Sequence, residues 1–101
     1  KNISFLMDRD GKWRLSPAYD MGYAYNPDGQ WTSAHQMSIN GKFSSITKED
    51  LLECGVKNNI KNAARIIAEV CQAASMWPEI ARENEVPQKM IEEIQSNMVF
   101  F

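Results

Sequence analysis

The chain has 101 residues, 44% of them hydrophobic and 10% aromatic, with a net charge of -2 from 11 basic and 13 acidic side chains. A chain of that length makes one small domain or part of a larger one, and that composition supports a modest core rather than a disordered tail. The charge balance argues against a broad basic field for nucleic acid, and neither a signal-peptide pattern nor an apolar run of about 18 residues points to secretion or to a membrane.

Ile3, Phe5 and Met7 alternate with Ser4, Leu6 and Asp8, the period of two that marks a strand. Asp8-Arg9-Asp10-Gly11 is turn chemistry, with Gly11 able to take positive φ. Lys12 to Ser16 alternates again, and Pro17 ends the second strand by withholding a ladder donor. A β-hairpin is therefore expected over residues 3–16. The Asp-rich turn is not an EF-hand: with Gly11 at loop position six, Leu6 and Pro17 fall on the first and last ligand positions.

Residues 22–46 carry little periodicity, and loops of that length are often functional. Asn26-Pro27-Asp28-Gly29 reads as a turn, and Asn40-Gly41 between Met37-Ser38-Ile39 and Lys42-Phe43 suggests a second, smaller hairpin. From Thr47 on the pattern is helical. Thr47 and Asp50 form a capping box, with Gly55 as the expected stop and Leu51 and Leu52 turned inward. A longer helix is expected from about Asn58 to Ser75. Its two apolar stripes, one through Ile60, Ala64, Ile67, Cys71 and Ala74 and one through Ile66, Val70, Ala73 and Trp77, imply contact on several sides. Pro78 and Pro87 open two further helical segments, the last with Met90, Ile91, Ile94 and Met98 at helical spacing.

Among chemistry-bearing residues, the lone His35 reads as an ordinary loop histidine. Cys54 and Cys71 read as free thiols of a reducing, cytoplasmic compartment, with a disulfide between them as the alternative. With one histidine and no C-x-x-C they make no zinc set. Ser33, Ser38, Ser44 and Ser45 are solvated loop serines by default. Trp13, Trp31 and Trp77 read as packing anchors, and Glu92-Glu93 as a solvated helix face. Lys57, Lys61 and Arg65 make a small basic ridge, read as an exposed face. The remaining candidates are Asn2 and the Asp20-Met21-Gly22 segment, joined by the hairpin. An amide and a carboxylate are hard oxygen donors of the kind Mg²⁺ takes, and phosphoryl transfer uses such ligands.

Lys1-Asn2-Ile3-Ser4-Phe5 followed by Trp13-Arg14-Leu15-Ser16-Pro17-Ala18-Tyr19-Asp20 resembles the HipA family of bacterial serine/threonine kinases, the toxins of HipA–HipB toxin–antitoxin pairs. The likeness is good over residues 1–22, looser through His35-Gln36-Met37-Ser38-Ile39-Asn40-Gly41, and only general in the helical tail. It implies that Asn2 and Asp20 hold Mg²⁺, with Lys1 and Tyr19 close to bound ATP. It also implies a catalytic Asp five positions ahead of Asn2, before Lys1, together with an upstream glycine-rich loop. The chain then corresponds to a C-terminal fragment, inactive alone. Its expected fold class is α+β: a hairpin and irregular loop (1–46) packed on a helical bundle (47–101), as in a protein-kinase-like C-lobe. In the full-length protein the implied partners are ATP, a protein substrate such as a translation factor, and a HipB-like antitoxin that reaches operator DNA. A non-catalytic helical module that binds such an antitoxin is the alternative, and a lipid-kinase-like enzyme a third reading.

Overall fold

The computed structural model describes residues 2–101. Two short strands, β1 (Phe5–Met7) and β2 (Trp13–Leu15), pair antiparallel with Phe5 opposite Leu15 and Met7 opposite Trp13. Pairing continues past the strands: the Ser16 N–H donates to Ser4 O at 2.9 Å and the Asp8 N–H to Lys12 O at 3.0 Å. The expected hairpin is thus present. It is not packed on the helices, as the fold expectation had it. Neither strand contacts a helix among the described residues, and both of its faces are exposed. Its cross-strand apolar pairs cover each other on one face of the ribbon only, which is why Trp13 remains 66% accessible.

Four helices follow: α1 (Lys48–Lys57), α2 (Ala63–Ser75), α3 (Trp77–Glu83) and α4 (Gln88–Asn97). Thr47 caps α1 reciprocally with Asp50, as the capping box predicts. Gly55 does not end that helix. It lies inside it, buried, where a Cβ would stand 2.5 Å from the Ala63 Cβ of α2. The stop comes at Asn58-Asn59. Asn59 takes φ 55°, its N–H donates to Val56 O, and the Ile60 N–H donates back to Gly55 O at 2.8 Å. That is a Schellman ending with asparagine as its left-handed residue, and it moves the start of the long helix from Asn58 to Ala63. The same ending recurs after α3, with Glu85 at φ 58° and the Val86 N–H on Ala81 O.

Met76 closes α2 and opens α3 without leaving helical geometry. Pro78 lacks the N–H that would bond back to Ala74, so the helical run breaks there rather than looping. The core sits between α3 and α4, where Ala81, Ile91 and Ile94 are buried and the Trp77 indole N–H donates to Ile91 O at 3.3 Å. α2 meets α1 and α3 yet buries no residue, so the wrapping expected from its two stripes is not found. Leu51 and Leu52 are half-buried. The radius of gyration is 16.2 Å, against about 13 Å for a compact domain of this length.

Candidate functional site

The hairpin turn sets the geometry at its open end. Asp8 Oδ1 accepts from the backbone N–H groups of Asp10 and Lys12, each at 2.9 Å. The Gly11 N–H donates to Asp8 O at 3.1 Å, with Gly11 at φ 79°. This is a three-residue loop closed by a glycine bulge, and it fixes register. Carried to the open end, that register brings Asn2 beside the residues that follow Pro17. The Ser4 hydroxyl donates to the Ser16 hydroxyl at 2.9 Å and holds the ends together.

There the Asn2 side-chain amide donates twice to Asp20, at 2.8 Å to the backbone oxygen and at 3.1 Å to Oδ2. Asp20 sits at φ 50°, in the left-handed region that Asp tolerates better than most residues, and this turns the chain after Tyr19. Tyr19 is 45% exposed next to it. Lys1 lies outside the described residues. Because Nδ2 is committed to Asp20, the amide oxygen Oδ1 is the branch of Asn2 left to meet a cation beside the carboxylate. One amide and one carboxylate oxygen suit a hard ion that fills its other positions with water and phosphate, as Mg²⁺ does. No cluster of three or more His, Cys, Asp or Glu suited to a metal occurs among the described residues.

Beyond Gly22 the loop runs toward α4. Tyr23 and Tyr25 meet edge to face with centroids 6.5 Å apart, and Asn97 donates to the Tyr23 hydroxyl at 3.0 Å. Between this loop and the C-terminal tail lies an open groove of about 910 Å³, whose wall includes Trp31, His35, Phe43 and Phe101. Ser33, Ser44 and Ser45 line it as well, and among the described residues no Asp, Glu, Lys or Arg does. In the basic ridge, Lys57 pairs with Glu53 and Arg65 with Glu69, each at 2.9 Å. Cys54 and Cys71 are free and half-buried. No helix among the described residues is long and apolar enough to cross a membrane.

A polar clasp that the sequence reading missed ties this loop to α1. Ile39 and Lys42 bond to each other through both backbone pairs at 2.9 Å, with Asn40 at φ 51° and Gly41 at φ 79°. Positive φ at both central residues defines a type I′ turn, for which Asn-Gly is the favoured pair. The Asn40 amide donates to Asp50 Oδ1 at 3.1 Å and Glu53 Oε2 at 2.7 Å, and its oxygen accepts from Lys57 Nζ at 2.8 Å. Asp50, only 4% exposed, also takes Lys42 Nζ and the Thr47 backbone N–H on Oδ2, each at 2.8 Å. The Lys42 ammonium above all, then the Thr47 N–H and the Asn40 amide, hold the Asp50 carboxyl far below the usual carboxylate range. Lys57 and then Asn40 lower Glu53 in the same way, and the Glu53 carboxylate raises Lys57. The Asn-Gly turn and the capping box were each legible; nothing local signalled that they meet.

The fold and the ribbon site together describe a mixed α/β domain that opens on a two-stranded hairpin and continues into helices. The family model for the HipA-like C-terminal domain matches residues 1–77, so the chain belongs to that family. The match spans the hairpin, the irregular loop, α1 and α2, and ends at the start of α3. No curated protein matches the chain, and no solved structure does.

Proposed function

We propose that this chain is the nucleotide-and-magnesium-holding C-terminal part of a HipA-like serine/threonine protein kinase. The observation that carries the reading is the contact between Asn2 and Asp20, residues 18 positions apart that the hairpin sets side by side. Family membership supports it. A magnesium ion at these oxygens would offset charge on the ATP phosphates, a contribution on the order of several kcal/mol in metal-assisted catalysis. The chain's own part is positional. The ribbon holds the Asp20 carboxylate, the Asn2 amide fixes that carboxylate's orientation, and Tyr19 lines the approach. Residues 22–46 then take the place of an activation-loop-like region beside a kinase-like C-lobe, and an upstream Asp orients the acceptor hydroxyl.

The test is Asp20→Ala in the full-length protein. Autophosphorylation with Mg²⁺ and ATP should fall by about a hundredfold or more, with circular dichroism unchanged because Asp20 is exposed. Wild-type autophosphorylation by that variant overturns the reading. A second reading, a helical module that binds an antitoxin-like DNA-binding protein, draws on α2, where Ile66 and Val70 remain open to solvent. Co-purification with a helix-turn-helix protein, combined with no nucleotide affinity, would favour it over the kinase.

A further inference from the structure

The structure assigns Asn40 as a site of covalent modification: we propose that spontaneous deamidation at Asn40–Gly41 unlatches the 22–46 loop from α1. The inference is independent of the phosphotransfer reading. In the reaction the Gly41 backbone nitrogen attacks Asn40 Cγ and a new N–C bond forms. Nδ2 leaves as ammonia, taking up the backbone proton, and a five-membered imide remains. Water then opens the ring at either carbonyl to give aspartate or isoaspartate, so the net change is amide plus water to carboxylic acid plus ammonia. No oxidant or enzyme is needed.

Two independent features single out this asparagine. Its successor is glycine, whereas every other asparagine in the chain precedes a residue with a side chain that crowds the attacking nitrogen. A Cβ at Gly41 would meet nothing within 4 Å, so no neighbouring group crowds the Gly41 Cα at the turn. The second feature is what the amide does. Its NH₂ group is the donor shared by the carboxylates of Asp50 and Glu53, and a carboxylate cannot replace it. Before the reaction Asp50 and Glu53 face Lys42 and Lys57, two charges of each sign. Afterwards a third carboxylate stands among them, next to two acceptors that have each lost a donor. The isoaspartate product also lengthens the backbone by one carbon, which breaks the two-residue turn.

The hydrogen bonds on both branches of the amide restrain its rotation toward Gly41, so conversion is slower in the folded chain than in the unfolded one. To test this, the intact chain is held at mildly alkaline pH, with and without denaturant, and followed by peptide mass mapping and isoaspartyl-methyltransferase labelling. Asn40 should convert before any other asparagine in both samples, and faster in denaturant. In the partly converted folded sample, hydrogen exchange at the Ile39 and Lys42 amides should run about tenfold or more faster in converted than in unconverted molecules. Asn40→Asp should reproduce that acceleration. Earlier conversion of another asparagine in the folded chain overturns the assignment, and unchanged exchange at Ile39 and Lys42 after conversion overturns the unlatching.

Discussion

Gly55→Ala isolates the contact that joins α1 to α2. The new Cβ would lie 2.5 Å from the Ala63 Cβ, whereas carbon atoms pack at about 3.5–4.0 Å. The helices must therefore part by roughly 1 Å or more at that point, and overpacking of this kind costs about 1–3 kcal/mol. Alanine in a helix interior returns about 1 kcal/mol relative to glycine. The net expectation is a loss of about 1 kcal/mol, in a position where propensity alone predicts a gain of that size. Urea denaturation followed by far-ultraviolet circular dichroism measures it. Adding Ala63→Gly removes the opposing methyl at the first position of α2, so the double variant should recover most of the loss, with a coupling energy of about 1 kcal/mol or more. A Gly55→Ala chain more stable than the parent, or a coupling near zero, refutes the close approach of α1 and α2.

Ile91→Ala removes the most buried large side chain, 1% exposed between α3 and α4, and should cost about 2–5 kcal/mol in the same denaturation assay. Acid should open the clasp. The Asp50 carboxyl is held below its ordinary range in the folded chain, so its stabilisation is complete above the unfolded value of about 3.9 and is lost as pH falls from there toward the folded value. Exchange at the Ile39 and Lys42 amides should therefore lose its protection in that window, beyond the intrinsic pH dependence of exchange, and Asp50→Asn should flatten the transition.

Where the sequence was informative, the information was local. The alternation of Ile3 to Met7 and Lys12 to Ser16, with Asp8 to Gly11 between, specifies the ribbon because strand period and turn chemistry are short-range properties. Thr47 and Asp50 announce a helix start for the same reason. Gly55 misled because a glycine that admits a neighbouring helix and a glycine that ends its own look alike in sequence. The endings fell instead to Asn59 and Glu85, and glutamate is an unusual left-handed residue. The stripes of α2 record which residues suit burial, and Val70 shows the difference by remaining 63% exposed. At the candidate site, Asn2 and Asp20 were legible as a motif. The link from Asn40 to Asp50, Glu53 and Lys57 was not, since side-chain bonds across 10 to 17 positions leave no periodic trace.

The separation between ribbon and helices bears on how the molecule transmits free energy. With no strand packed on a helix among the described residues, unfolding need not be a single cooperative event, and the fluorescence of Trp13 and the ellipticity of the helices are free to change at different temperatures. An ion seated at the ribbon's open end would then raise the melting point of the ribbon far more than that of α3 and α4. The Tyr23–Asn97 bond is the one hydrogen bond among the described residues from the segment after Asp20 to the last helix, and a single exposed hydrogen bond carries little linkage.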